Sequence, residues 1–455
     1  MELALKSMKK WTVNGTSRIK PAKETLEKVV PLSRKIGVTR LADITGMDVL
    51  GIPNYSAVLP GTEDYIWVYS GKGPTREHAM ASALMESIER FCSLPSGGPR
   101  NFIRASYGEL SKTHDVIHPD EFVEPMSFEY RDDMVTDFIE AIDLNALVDG
   151  KAHRPVMVPA SIALFRYSPA PPAVNPFAYF HTNGLASGNV IEEAICHSLC
   201  EVIERDAISL AELRASAIPY HFLRSVSGAL SSAGFSLRAI RPEVFVDDPS
   251  MFPDVDISDL DFGPVVSLAE KFRAAGIPLI IKEITSDIGI PTFNAASVEW
   301  ISHDYGYLAE GHGTHPDARI ALLRAITEVA QTRAANIQGA RDDLRKIKYQ
   351  SPDGSADSRS DDRRAWQFMK STHVKKFSDV ASFFNEDILD DIRLILTRLK
   401  AAGLGKVAIV DLTNPQLGIP VVRALVPGLE TFKITKSVMG NRARACFRKW
   451  QNAGR

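Results

Sequence analysis

Apolar residues recur along the chain with the period of an amphipathic helix in four segments, 75–92, 192–206, 318–333 and 388–400. In each segment they return every three or four residues, so one side of the helix is apolar and the other polar. Shorter runs rich in β-branched residues, such as IPLIIKEIT and KVAIVDLT, predict strands. The pattern therefore predicts an α+β fold.

Two internal repeats connect these elements. The helical segment with Gly73, Glu86, Glu89 and Arg90 returns with the same spacing as Gly188, Glu201, Glu204 and Arg205, and more faintly as Glu328 and Gln331. The strand-like triplets DIT, EIT and DLT each lead to a GIP, at 51–53, 289–291 and 418–420. The irregular spacing argues against a solenoid. It predicts one large domain with internal pseudo-repeats of strand-turn-helix units around mixed sheets.

The polar sides of three helices carry matching charged residues. Because a helix turns about 100° per residue, Ser82, Glu86 and Glu89 share one stripe, opposite the apolar residues. The same calculation aligns further residues on the other two helices: His197 with Glu193, Glu201 and Glu204, and Arg324 with Glu328 and Gln331. A polar stripe alone is typical of a solvated helix face.

The spacing of the glutamates favours a cation site over a solvated face. Like charges three residues apart on a helix repel each other, so the pairs Glu86/Glu89 and Glu201/Glu204 become favourable only beside a cation. Glutamates from two helices form an oxygen cage suited to Mg²⁺, which binds carboxylates together with phosphate oxygens. Arg90 and Arg205 suit a polyphosphate in the same place.

Glycine-rich segments precede the three helices: SGKG at 70–73, NGLASGN at 183–189 and GHGTH at 311–315. We predict turns here, each able to place backbone N–H groups near an anion. None matches the P-loop or dinucleotide pattern, and each alone predicts only an ordinary turn. Lys72 is the most informative member, because a lysine at this position can reach a phosphate.

Composition limits the class of protein. The chain has 455 residues, of which 45% are hydrophobic, and 53 Lys and Arg against 56 Asp and Glu give a net charge of −3. These values predict a globular protein and argue against a nucleic-acid or membrane binder. Lys6, Lys9 and Lys10 lie where a secretory signal would need apolar residues, so we expect a cytoplasmic protein.

The motifs together resemble the ATP-binding signature of the YcaO family. They are Ser82-x-x-x-Glu86-x-x-Glu89-Arg90, Asn189-x-x-x-Glu193, Glu201-x-x-Glu204-Arg205 and RAITEVAQTR at 324–333. The resemblance covers about residues 18–430. We expect a catalytic domain at 61–430 that is completed by 1–60. We further expect a polar surface insertion near 351–364 and a basic tail at 431–455, which is either a partner-docking segment or, as we favour, a solvated helix.

The resemblance implies a role for each site residue. The ATP contacts would be Ser82, Arg90, Asn189 and Arg205, with Lys72 added from its position, and with Arg18 and Thr25 at the N-terminal contact. The Mg²⁺ ligands would be Glu86, Glu89, Glu193, Glu201 and Glu204. Arg324 and Gln331 would take part in the reaction, Gln331 also lying beside the nucleotide. His197 is available as a proton acceptor, although a structural histidine explains it equally well.

The family uses ATP to activate a backbone amide of a peptide. Azoline-forming members often end in a proline-rich tail, whereas this chain ends in NRARACFRKWQNAGR. The resemblance therefore favours a member that works with a TfuA-type partner and sulfide to form a thioamide, and it implies a homodimer. Two alternatives stay open: an azoline-forming cyclodehydratase that acts on Cys, Ser or Thr of a precursor peptide, and a nucleotide-binding accessory protein.

Overall fold

The computed structural model describes residues 4–11, 16–60, 66–151, 154–217, 228–234, 252–300, 306–338, 366–435 and 438–446. Helices occupy α1 Ala22–Lys35, α2 Arg76–Ser93, α3 Tyr107–Leu110, α4 Leu144–Val148, α5 Ala160–Ala163, α6 Ile191–Glu212, α7 Gly263–Ala274, α8 Ala318–Gln338, α9 Ile388–Ala401 and α10 Phe432–Thr435. The four helices predicted from periodicity correspond to α2, α6, α8 and α9.

Strands alternate with these helices along the chain. They are β1 Arg40–Asp43, β2 Asn54–Pro60, β3 Ile66–Lys72, β4 Phe102–Ser106, β5 Val135–Asp143, β6 Pro155–Pro159, β7 Leu185–Ser187, β8 Asp254–Asp256, β9 Leu279–Glu283, β10 Thr292–Trp300, β11 Gly306–Thr314, β12 Val374–Lys376, β13 Ala408–Asp411 and β14 Val421–Leu425. The protein is a single large domain with mixed α and β structure, as predicted.

The strands form three sheets within the described residues. Their orders are β1-β2-β3, β11-β10-β9-β8-β12 and β4-β5-β13-β14-β7, with β6 added beside β5. The pairs are antiparallel except for β8 and β12, which run parallel. Antiparallel pairing allows neighbouring strands to be joined by short connections, and β1–β2, β9–β10 and β13–β14 are joined in this way.

The GIP repeat forms the connection of each of these three strand pairs. Its glycine has a positive φ in every copy, 56° at Gly51, 71° at Gly289 and 60° at Gly418. This region of backbone conformation is readily adopted only by glycine. The threonine of the preceding triplet accepts a hydrogen bond from the first residue of the next strand; the N–O distance is 3.1 Å for Asn54 to Thr45, 3.1 Å for Thr292 to Thr285 and 3.2 Å for Val421 to Thr413. The sequence repeat is therefore also a structural repeat.

A third strand and a long helix complete each copy. We call the copies the α2 unit (β1, β2, β3 and α2), the α8 unit (β9, β10, β11 and α8) and the α6 unit (β13, β14, β7 and α6). In the first two units the third strand follows the strand pair along the chain. In the α6 unit, β7 and α6 come first and the strand pair β13–β14 is added about 200 residues later.

The glycine-rich segments lie largely in strands, where the sequence predicted turns; in the second segment Asn183 and Gly184, with a φ of 76°, do form a turn. Residues 70–72 belong to β3, residues 185–187 to β7 and residues 311–314 to β11. Glycine is needed there because a helix packs directly on the strand: a Cβ at Gly71 would lie 2.1 Å from the carbonyl oxygen of Ala79, and one at Gly313 would lie 1.9 Å from that of Ala321. Close helix packing therefore explains why glycine is required at Gly71 and Gly313.

Each of the three long helices buries its apolar side in a core of its own. The apolar faces pack into three clusters, α2 with β2, β3 and β5, α6 with α9 and β14, and α8 with α7 and β10. The opposite faces of the three helices therefore point toward one another. Among the described residues, no helix combines the length and the apolar character that a membrane crossing requires.

The described part of the C-terminal tail is held by charge. The guanidinium of Arg442 donates to both carboxylate oxygens of buried Asp206, at 3.0 and 2.9 Å, and to Asp287 at 2.6 Å. The prediction of a solvated terminal helix is therefore wrong for Arg442. Trp450 and the predicted insertion at 351–364 lie outside the described residues.

Candidate functional site

The polar faces of α2, α6 and α8 enclose a cavity of about 860 Å³. Every site residue predicted from the sequence lies in its lining: Arg18, Thr25, Lys72, Ser82, Glu86, Glu89, Arg90, Asn189, Glu193, His197, Glu201, Glu204, Arg205, Arg324 and Gln331. The helical phases placed the side chains on the correct faces. The role of each residue stays a prediction.

Helix α2 contributes two glutamates and an arginine. Arg90 donates to Glu86 at 3.2 Å, and the hydroxyl of Ser187 donates to Glu89 at 3.3 Å. Burial raises the pKa of Glu89 well above its usual value; Arg90 partly offsets this, and the negative charges of Glu201 and Glu86 add to it. The same acids raise the pKa of Arg90 despite its burial, so that the guanidinium stays charged.

Helix α6 presents the corresponding acids. Burial raises the pKa of Glu201 to about 7, against the lowering effect of Arg205 and Arg90 and with the repulsion of Glu204. The Glu204 side chain is 4% exposed, with one oxygen 4.0 Å from Arg205. Its other oxygen, Oε2, is buried and accepts no hydrogen bond within the described part of the chain. A buried carboxylate oxygen without a donor is unfavourable unless a cation occupies the adjacent space.

Glu193 attaches the N-terminal segment to the cavity. Its carboxylate accepts hydrogen bonds from the backbone N–H of Ile19 at 2.7 Å and from the backbone and side chain of Asn189 at 2.8 and 2.9 Å. Arg18 lies 3.5 Å from it, and Thr25 donates to Asn189 at 2.9 Å. Four donors therefore hold Glu193 in this wall of the cavity, and its role as an Mg²⁺ ligand stays a prediction.

His197 is neutral and already has a donor. Burial lowers its pKa well below the usual value, and the positive charges of Arg324, Arg18 and Lys72 lower it further. The guanidinium of Arg18 lies 3.4 Å from Nδ1. Because arginine can only donate, the ring proton is on Nε2, and the imidazole has no free lone pair in this arrangement.

Helix α8 contacts β3 of the α2 unit. The side-chain amide of Gln331 donates to the carbonyl oxygen of Ser70, and the ammonium of Lys72 donates to Glu328. The sequence placed Glu328 in the faint third repeat and on the polar stripe with Arg324 and Gln331, but assigned it no role. Its place in the repeat, equivalent to Glu86 and Glu201, is the signal that identifies it as a cavity residue.

Sequence reasoning missed one wall of the cavity. Trp67, Tyr69 and Phe165 line it together with Arg166, whose guanidinium lies 5.5 Å from the centre of the Trp67 ring. Arg166 has a positive φ of 57°. Single aromatic residues in strands and loops carry no periodic signal, so only the folded structure shows that they share a surface with the acids.

The residues present fit a metal-bound polyphosphate. The cavity has the volume of a small-molecule site. Four carboxylates, from Glu86, Glu89, Glu201 and Glu204, come from two facing helices, and Glu204 Oε2 lacks a donor. Arg90 and Arg205 add two guanidinium groups to the same lining. Carboxylate oxygens suit Mg²⁺, and guanidinium groups suit phosphate oxygens.

Comparison with known proteins decides the family. The family model described as YcaO cyclodehydratase, ATP- and Mg²⁺-binding, matches residues 70–430. An uncharacterized protein of Methanothermobacter thermautotrophicus is 33% identical over 423 residues, which cover 93% of this chain and 97% of the relative. The chain belongs to the YcaO family.

Two further relatives extend the comparison. An uncharacterized protein in the tfuA 3′ region of Rhizobium leguminosarum bv. trifolii is 28% identical over 421 residues, 90% of this chain and 87% of the relative. The solved structure of YcaO from Methanopyrus kandleri bound with AMPPCP and Mg²⁺ has a TM-score of 0.65 and 25% identity, covering 93% of this chain and 95% of that one.

A heterocyclase solved in complex with substrate and cofactor shares the fold. Its TM-score is 0.70 at 23% identity, and the match covers 95% of this chain but 55% of the heterocyclase. ATP and Mg²⁺ are the cofactors of this YcaO protein, as the sequence predicted. The enzyme class follows from the family, whereas its product does not.

Proposed function

We propose that this YcaO protein uses ATP and Mg²⁺ to activate a backbone amide of a peptide and forms a thioamide with a TfuA-type partner and a sulfide source. The observation that carries the proposal is the set of four glutamates and two arginines that α2 and α6 direct into one cavity. This set suits transfer of a phosphoryl group, in which negative charge must be neutralised by cations.

The proposed reaction balances as a transfer of oxygen for sulfur. Sulfide adds to the carbonyl carbon of the amide, and the resulting oxyanion attacks the γ-phosphorus of ATP, releasing ADP. The C–O bond then breaks as the S–H proton is released to water, phosphate leaves with the former carbonyl oxygen, and a thioamide remains. Bound Mg²⁺ supplies positive charge beside the phosphates.

The residues of the chain have distinct parts in this proposal. Arg90 and Arg205, whose positive charge is maintained by neighbouring acids, stabilise the charge on the transferring phosphoryl group. Glu86, Glu89, Glu201 and Glu204 hold the metal, while Arg18, Thr25 and Asn189 form the wall at the N-terminal segment. Ser82, Lys72, Arg324 and Gln331 complete the nucleotide contacts.

The thioamide branch is supported by the Rhizobium relative, whose name places it beside tfuA. Azoline formation is the second candidate, supported by the description of the family model as a cyclodehydratase. In that reaction a Cys, Ser or Thr side chain of the peptide replaces sulfide as the nucleophile. We further propose a homodimer, and a cytoplasmic location because the reaction consumes ATP.

Mass spectrometry distinguishes the products. Candidate peptides are incubated with the protein, ATP, Mg²⁺ and sulfide, with and without a TfuA-type partner. A thioamide adds about 16 Da, because sulfur replaces oxygen, and an azoline loses about 18 Da, because water leaves. The Glu204→Gln variant serves as the matched inactive control.

Each outcome decides between the candidates. A gain of mass that requires sulfide supports the thioamide, and a loss that does not require sulfide supports the azoline. If the protein binds nucleotide but yields neither a modified peptide nor peptide-dependent phosphate release, both candidates are contradicted. The protein would then be a nucleotide-binding accessory protein.

A further inference from the structure

Lys72 lies at the junction of two structural units. It is the last residue of β3 in the α2 unit, and its ammonium donates to Glu328 of the α8 unit. The neighbouring contact, from Gln331 to the carbonyl of Ser70, fixes the same strand two residues earlier. The strand end that carries Lys72 is therefore attached to α8 at two points.

Buried polar residues of β10 and β11 lie next to Glu328. Asn294 of β10 and His312 of β11 are paired across the sheet, and the side-chain amide of Asn294 lies 3.1 Å from His312 Nε2. Both residues are buried. The other ring nitrogen of His312, Nδ1, lies 3.8 Å from a carboxylate oxygen of Glu328. The polar side chains of Asn294, His312 and Glu328 thus follow one another from the sheet interior to the ammonium of Lys72.

The charges of Glu328 and Lys72 are well matched. Burial opposes ionisation of Glu328, yet Lys72 and then His312 and Arg205 hold its pKa well below the usual value. The carboxylate is therefore ionised at neutral pH and forms an ion pair with the ammonium. The Glu328 and Lys72 side chains are 22% and 23% exposed, so the pair borders the cavity and is not sealed in the core.

The internal repeat explains why the positive charge beside Glu328 comes from another unit. Glu328 occupies the position of Glu86 and Glu201, but Thr332 stands where those helices carry Arg90 and Arg205. Helix α8 therefore lacks an arginine at this one position of the repeat. Lys72, from the end of a strand in another unit, supplies the positive charge instead.

We infer that Glu328, supported by His312 and Asn294, is a positioning residue that fixes the ammonium of Lys72 for contact with the phosphates of ATP. The inference rests on the proposed role of Lys72 as a nucleotide contact. A fixed ammonium binds phosphate without first losing the conformational freedom of a long side chain, which is otherwise a cost of binding.

The test compares affinities for AMPPCP and AMP, each with Mg²⁺, by isothermal titration calorimetry. Glu328→Ala should lower the preference for AMPPCP over AMP at least fivefold, because Lys72 loses its partner. Glu328→Gln should lower it less, because the amide oxygen still accepts from the ammonium. Removing a negative charge by itself favours a polyanion, so a loss of preference identifies positioning as the dominant effect.

Lys72→Met and the double variant test separately whether Lys72 contacts the nucleotide and whether Glu328 positions Lys72. If Lys72→Met leaves the preference unchanged, the proposed nucleotide contact of Lys72 is wrong. If Lys72→Met lowers the preference but the Glu328 variants maintain or raise it, the positioning role is wrong. In the double variant Glu328→Gln should have no further effect, since its target is gone. Glu270→Ala, at an exposed position of α7, controls for removal of a carboxylate.

Discussion

The α6 and α8 units share a backbone plan but differ in how their acids are neutralised. At equivalent helix positions the α6 unit has Glu201, Glu204 and Arg205, and the α8 unit has Glu328, Gln331 and Thr332. The pKa of Glu201 is raised to about 7, whereas that of Glu328 is held well below its usual value. Identical positions in a repeat therefore carry acids of opposite behaviour.

The difference depends on where the cation comes from. Glu328 has the ammonium of Lys72 as a direct partner within the chain. Glu204 has only Arg205 at 4.0 Å, and its second oxygen has no hydrogen-bond donor among the described residues. The α8 acid is thus neutralised by the protein, whereas for the α6 acids we propose a cation that must be added, the Mg²⁺ bound with ATP.

The largest expected effect comes from neutralising an α6 acid. Glu204→Gln should reduce ATP-dependent turnover about 100-fold or more, because the amide cannot replace a carboxylate beside a metal ion. The midpoint of thermal unfolding should stay unchanged or rise, since a repulsive buried charge is removed. Phosphate release and differential scanning calorimetry measure the two quantities, with Glu270→Gln as the exposed control. Full turnover in the variant would refute the proposed metal site.

Introducing an acid into the α8 unit should have a smaller effect, on stability. Gln331→Glu replaces the donor to the Ser70 carbonyl by a carboxylate that can only accept, so we expect a loss of about 1–3 kcal/mol in the free energy of unfolding. Urea unfolding measures it. The same replacement at exposed Gln416 should change stability by less than about 0.5 kcal/mol. Equal effects at both sites would show that the contact with β3 does not distinguish the units.

The third expected effect is a pH dependence of the free energy of unfolding. Glu201 binds a proton in the folded protein up to about pH 7, well above its ordinary value of 4.5. Its contribution to stability is therefore complete below pH 4.5 and is lost as the pH rises through about 7, with a slope of at most about 1.4 kcal/mol per pH unit. Glu201→Gln should remove this decline from urea-unfolding measurements made without Mg²⁺ and ATP.

The Glu328→Gln variant gives the matching comparison. The pKa of Glu328 is lowered in the folded protein, so its contribution is present above pH 4.5 and is lost as the pH falls below that value. Glu328→Gln should therefore change the free energy of unfolding below pH 4.5. Glu201→Gln should instead change it as the pH rises above 4.5. The same pH profile in both variants would contradict the contrast between the two units.

Helical periodicity predicted much of the site because the direction of a side chain on a helix follows from its position in the chain. It placed Glu86, Glu89, Glu201 and Glu204 on cavity-facing stripes. The GIP repeat was equally informative, since a glycine with positive φ recurs at the same point in three hairpin-like pairs. Both signals are local and require no knowledge of distant contacts.

Contacts between distant segments could not be predicted in this way. Lys72 and Glu328 are 256 residues apart, and no periodic pattern relates them. Glycines were also misinterpreted, because Gly71 and Gly313 satisfy the composition of a turn although close helix packing is what requires them. Glu193 likewise accepts a hydrogen bond from the backbone of Ile19, 174 residues earlier in the chain.

The order of strands in the α6 unit has a consequence for biosynthesis. A ribosome completes α6 with residue 212, but β14, which pairs with β7 and donates from Ala424 to Ser198 of α6, is made about 200 residues later. Contacts this distant in sequence delay folding until both partners have left the exit tunnel. A nascent chain that stops before β14 therefore has both α2 and α6 but lacks the contacts of β14 with β7 and with Ser198 of α6. We therefore expect the nucleotide site to form only after β14 has been synthesised.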